Sequence, residues 1–169
     1  MRFDALLLVD CWDEDWIREK NGLHIRQFYG RVLDYVDMFS FVNVLFASGY
    51  EKTHPWFENH YPNHKYVRNI RDVKEVLHMN SSVLIGGAAW NYCLHHAPVS
   101  IQTLSDSGYH LYSHPEIVDT GMYDNNRVTH DDFKRDNVPW RKVYDFYYLQ
   151  AGNIQNNTNT KGKPPADSL

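Results

Sequence analysis

Ala5-Leu6-Leu7-Leu8-Val9-Asp10 is a continuous apolar run that stops on a carboxylate. A half-exposed strand alternates apolar and polar residues, whereas a strand buried on both faces is apolar throughout. The run therefore predicts a central strand of a parallel sheet covered by helices, with Asp10 at its carboxyl end. Asn43-Val44-Leu45-Phe46-Ala47 repeats the pattern and closes on Ser48-Gly49. Ser82-Val83-Leu84-Ile85-Gly86-Gly87-Ala88-Ala89 gives a third such strand, running into a tight turn of small residues.

Helices are expected between these strands. Over residues 23–39, Ile25, Phe28, Val32, Tyr35, Val36 and Phe39 recur at threes and fours, with Arg26, Arg31, Asp34 and Asp37 between them. Residues 71–79 read as a short helix with Val73, Val76 and Leu77 on one side. A further helix is expected over 91–105, with Pro98 tolerated near its first turns, closed by Gly108 before a fourth strand at 109–112. Residues 51–69 carry two prolines and show no period, which reads as a long loop. Beyond Pro115 the pattern weakens to a helix over 129–136, N-capped by Thr129, and a last strand over 143–149. The order implies right-handed crossovers and a three-layer α/β/α fold, Rossmann-like, on a mostly parallel sheet of about five or six strands. Residues 1–151 form this domain, and 152–169, polar and rich in Asn, form a flexible tail.

Composition narrows the function. The 169 residues carry a formal net charge of −4 with no Lys/Arg cluster, which argues against a nucleic-acid surface. The apolar runs are far too short to span a membrane, and no signal peptide is evident. The 2 cysteines, Cys11 and Cys93, do not make a disulfide framework and read as reduced thiols in a cytoplasmic protein. Aromatic residues reach 15%, enough to line pockets or a homo-oligomer contact, and to fill the core in either case.

In open parallel sheets the site lies beyond the carboxyl ends of the strands. Asp10 follows the first strand, the His-rich segment follows the second and Cys93 follows the third. Cys93 falls in the first turn of its helix, where unpaired N–H groups favour a thiolate and can hold an oxyanion. Asp10 is placed to take the thiol proton. A buried space-filling cysteine and a helix-capping aspartate are the plainer alternatives for the two positions.

Leu6-Leu7-Leu8-Val9-Asp10, taken with the segment Leu84-Ile85-Gly86-Gly87-Ala88-Ala89-Trp90-Asn91-Tyr92-Cys93-Leu94, resembles the isochorismatase-like cysteine hydrolases, which include nicotinamidases and carbamoylases. The resemblance runs from about residue 4 to residue 113 in the order of elements. It implies a triad of Cys93 as nucleophile, Asp10 as base and a loop lysine, with Lys65 the candidate and Lys52 behind it. It implies an oxyanion turn around Ala88, Ala89 and Tyr92. Trp12 stands where the family commonly has Gln, Trp90-Asn91 where it has Thr-Asp, and Ala97-Pro98 where it has Thr-Ala. Trp12, Trp16, Trp90 and Asn91 are therefore expected to shape the substrate pocket.

Nicotinamidase-type members also bind a divalent metal after the second strand. Glu51, His54 and His60 are the corresponding set for Zn here, though Glu51 and His54 are three apart rather than two. No cofactor is required by the chemistry otherwise. Adjacent His95 and His96 point to different faces of a helix and make poor joint ligands. The expected activity is hydrolysis of a C–N bond, amide or carbamoyl, in a small molecule. The alternative is a catalytically silent domain of the same fold serving as a binding or assembly subunit.

Overall fold

The computed structural model describes residues 2–12, 15–49, 52–88 and 93–119, with backbone alone for 15–23. The expected tail, the helix over 129–136 and the strand over 143–149 lie outside the described residues.

β1 (Arg2–Val9) is central. It pairs in parallel with β2 (Ser40–Ala47) on one side and β4 (Ser82–Ala88) on the other. β3 (Lys65–Tyr66) flanks β2, and β5 (His110–Tyr112) flanks β4. β6 (Val118–Asp119) continues along the same side of β4. Among the described residues the sheet has six strands in the order β3-β2-β1-β4-β5, with β6 on β4, and its strand pairings are parallel. Phe3, Leu6, Leu7, Leu8, Leu45, Leu84 and Ile85 are buried, the outcome that an unbroken apolar run anticipates. Each such side chain contributes roughly 1.5–3 kcal/mol by leaving water.

Register decides where the site falls, since a slip of one residue would turn every side chain to the opposite face. Asp4 fixes it at the far end. Its Oδ2 accepts from Ser82 N at 2.8 Å and Ser82 Oγ at 3.1 Å, while Asp4 N donates to Ser82 Oγ at 3.0 Å. Ala5 then faces Val83, and Val9 faces Gly87.

Helices cover the sheet. α1 (Asp15–Val36) buries Ile25, Phe28, Tyr29, Val32, Tyr35 and Val36, the stripe that the periodicity anticipates. The expected loop over 51–69 instead holds α2 (Pro55–His60) and β3. Pro55 starts α2 where a missing N–H costs nothing, and His54 caps it, its Nδ1 accepting from Trp56 N at 3.2 Å. α3 (Ile70–Val76) is capped by Asn69. Right-handed crossovers set α1 and α2 on one face and α3 on the other. Tyr29 of α1 meets Phe57 of α2 edge-on at 5.0 Å.

The expected helix over 91–105 is two helices, α4 (Cys93–His96) and α5 (Ile101–Asp106). Pro98 lies too far from a helix start to be tolerated and separates them. Ser100 then begins α5 with a capping box to Thr103. Among the described residues no helix is long and apolar enough to cross a membrane.

Candidate functional site

Asp10 follows directly on β1, with its N–H donating to Ala47 O at 2.8 Å, so the ladder to β2 carries one residue past the strand. Its backbone then turns into the left-handed region, φ 50°, which Asp tolerates better than most residues. This turn presents the carboxyl to three donors. Oδ1 accepts from Gly49 N at 2.9 Å and from Trp12 Nε1 at 3.1 Å, and the Cys93 thiol also hydrogen-bonds the side chain. Burial is the dominant influence and raises the carboxyl above its ordinary range, with the three hydrogen bonds pulling the other way. A carboxyl tuned upward in this way holds a proton more readily than a solvated aspartate, which suits a group that must accept one from a thiol.

Gly87 makes this juxtaposition attainable. It has φ 121°, and a Cβ there would lie 2.0 Å from Val9 O. At Gly86 a Cβ would lie 2.7 Å from Ile117 O. The two glycines sit within β4, not in a turn after it, and their smallness lets neighbouring backbones close on the strand rather than admitting a ligand. Ala88, half-buried, ends β4 opposite Asp119. Ala89, Trp90, Asn91 and Tyr92, expected around the oxyanion turn and pocket, lie outside the described residues.

Cys93 opens α4 and is half-buried, and its carbonyl accepts from Ala97 N at 3.1 Å. The chain then passes along one wall of a cleft of about 180 Å³, lined by Ala97, Pro98 and Val99 on that side. Val9, Asp10, Ala47, Ser48 and Gly49 form its floor at the ends of β1 and β2, and Val67 and Arg68 form the rest. Asp10 thus belongs both to the thiol contact and to the cleft.

Trp12 is buried and holds the turn, and it is not among the described residues lining the cleft. It bridges Thr53 antiparallel, its carbonyl accepts from Tyr29 Oη at 2.9 Å, and Cys11 O accepts from His54 N at 2.7 Å. Its indole N–H on Asp10 gives it a further part in the site. The Trp16 side chain and Glu51 lie outside the described residues.

Lys65 is exposed on the edge strand β3, opposite Leu45, and is not among the described residues lining the cleft; Lys52 is likewise exposed. The cation that lines it is Arg68, three residues on. Of the expected metal set Glu51, His54 and His60, the two described members are each engaged elsewhere: His54 caps α2 through Nδ1, while His60 Nε2 meets Asp37 Oδ1 at 2.7 Å beyond α1. Among the described residues no group of three His, Cys, Asp or Glu side chains is arranged to hold a metal ion. His95 is buried and His96 exposed, in keeping with their divergent positions.

A second charged cluster adjoins the same sheet edge. Asp119 is fully buried at the end of β6, with His24 Nε2 at 3.0 Å and Arg31 at 3.8 Å. Arg31 also reaches Glu116 at 3.5 Å, tying α1 to the 3₁₀ turn Pro115–Ile117. No periodicity or motif in the sequence marks His24, Arg31, Glu116 and Asp119 as a group. Comparisons with protein-family models, curated proteins and solved structures returned no match.

Proposed function

We propose that the protein is a cysteine-dependent hydrolase acting on a C–N bond of a small amide or carbamoyl compound, as its resemblance to the isochorismatase-like hydrolases implies. The observation that carries this reading is the hydrogen bond between the Cys93 thiol and the buried, upward-tuned carboxyl of Asp10. A space-filling cysteine has no use for such a partner, and a capping aspartate has no use for a thiol.

In the proposed reaction Asp10 takes the Cys93 proton and the thiolate attacks the substrate carbonyl carbon. The C–N bond then breaks, the amine leaving with the proton that Asp10 returns to it, and the acyl group remains on sulfur as a thioester. Water, giving a proton to Asp10, attacks that thioester and releases the acid and the thiol. Gly49 N–H and Trp12 Nε1–H hold the carboxyl in place through these exchanges. Both donate to Oδ1.

The test is the pH dependence of Cys93 alkylation by iodoacetamide, read by peptide mass spectrometry with Cys11 as internal control, followed by a screen of small aromatic amides for ammonia release. Labelling that stays fast well below the ~8.5 of a free thiol, together with turnover, is the expected result. Labelling no faster than an ordinary thiol, with no turnover, would overturn it in favour of a silent binding subunit.

A further inference from the structure

The cleft beside Asp10 has mostly aliphatic walls, Val9, Ala47 and Val67 toward the sheet and Ala97, Pro98 and Val99 across from them. At about 180 Å³ it has room for a single small ring and little more. Among the described residues Arg68 is the one basic side chain in its lining. The guanidinium is largely exposed, and its Nε meets Asp72 Oδ2 at 3.2 Å, while Asp72 Oδ2 also accepts from Arg68 N at 2.9 Å. That carboxylate is held below its usual range, first by the backbone N–H and then by the guanidinium. The pair therefore steadies Arg68 near the cleft, and the planar fork keeps further N–H donors for a second carboxylate.

We infer that Arg68 is the specificity-determining residue of this cleft and selects a small planar substrate bearing a carboxylate. Apolar walls hold the ring, Asp10 in the lining brings the Cys93 thiol on its carboxyl to the end to be cleaved, and Arg68 meets the charged end. This rests on the hydrolase reading for the reaction, but the anion preference itself does not require turnover.

Iodoacetate and iodoacetamide differ in charge and little in size, so they probe the preference without a known substrate. The ratio of their rate constants at Cys93, normalised to the same ratio in the unfolded chain, should fall about two- to fivefold in Arg68→Gln, the size expected of an exposed ion pair. Asp72→Asn, which frees the guanidinium, should raise it. Calorimetric titration with benzoate and benzamide should show benzoate favoured by the native chain and that preference lost in Arg68→Gln. A reactive Cys93 with a ratio indifferent to both substitutions overturns the anion site and leaves the hydrolase. An inert Cys93 with an Arg68-dependent preference for benzoate overturns the hydrolase and leaves the anion site. Failure of both measurements overturns both.

Discussion

The two cysteines follow neighbouring strands, and the same carboxyl lies beside each, yet their surroundings make them chemically unlike. Cys11 comes one residue after Asp10, is fully buried, and has the carbonyl of Val9 as the acceptor of its thiol at 3.8 Å. Burial pushes its thiol far up, and the charges of Asp10 and Asp119 push it further, because a thiolate there would face two carboxylates. Cys93 comes five residues after β4, is only half-buried, and meets Asp10 through a hydrogen bond. One aspartate therefore adds to the burial that keeps the first sulfur a thiol and, on the proposed reaction, offers the second a place to leave its proton. Geometry makes the difference: the left-handed turn at Asp10 points its carboxyl across to the chain after β4 and away from its sequence neighbour.

The largest test of this contrast replaces each sulfur. On the proposed reaction Cys93→Ser should abolish turnover, a loss of about 10⁴-fold or more in kcat, because a hydroxyl gives up its proton to a carboxylate far less readily than a thiol does. Cys11→Ala should keep its turnover and lose only about 1–2 kcal/mol of stability, the cost of a small cavity. Steady-state kinetics and urea unfolding separate the two effects. Equal loss of activity in both variants would break the division of labour.

Asp10→Asn removes the proposed base and keeps the oxygen that accepts from Gly49 and Trp12, and Asn is at ease with positive φ. Turnover should fall about 10²–10⁴-fold. Stability should move in the opposite direction. The Asp10 carboxyl is raised in the folded chain, so its favourable contribution is complete below the ordinary value of 3.8 and is lost as pH rises through the raised value. Near neutral pH the native chain carries a desolvated carboxylate that the variant lacks. The Tm of the variant should therefore exceed the native one at pH 7, with the gap closing as pH falls toward 3.8. A variant less stable at pH 7 would mean that the hydrogen bonds to the carboxylate outweigh its burial.

What the sequence made legible follows from how each signal arises. Ala5–Val9 of β1 and Val83–Ala88 of β4 are legible because burial on both faces leaves no polar residue in those stretches, and Asp10 is legible because it ends such a run. Cys93 followed from its distance to Gly86-Gly87, although those glycines serve the contact between strands, not a turn. The break at Pro98 has its own local signal, since Ser100 and Thr103 spell a capping box in the same stretch. His54 looked like a metal ligand because histidine rarely caps a helix, and only Pro55 behind it marked a helix start. Arg68 is indistinguishable in sequence from any solvated surface charge, because what gives it meaning is that the chain leaving β3 lines the same cleft as Asp10. Asp119 sits in a two-residue strand, too short for periodicity to register.

Gly87→Ala asks whether the closeness of β1 and β4 is needed by both cysteines. The new Cβ would meet Val9 O at 2.0 Å with the backbone at φ 121°, so strand and turn must both shift. A loss of about 3 kcal/mol or more is expected in urea unfolding. Any folded fraction should show Cys11 newly open to alkylation and Cys93 slowed, since Val9 carries Asp10. Native labelling at both sulfurs would show that the site does not depend on this approach.

The smallest effect isolates one of the three hydrogen bonds on Asp10. Trp12→Phe keeps an aromatic ring packed at the turn and the carbonyl that Tyr29 binds, and removes only the indole N–H on Oδ1. That N–H favours the carboxylate, so without it the carboxyl should rise further and take the Cys93 proton at higher pH than in the native chain. The alkylation profile of Cys93 should shift upward in pH, with its rate changed about threefold and stability reduced by about 1 kcal/mol. A merely structural tryptophan would lower stability and leave the pH profile where it was. The same substitution should leave Cys11 unlabelled, since burial and not this hydrogen bond silences it.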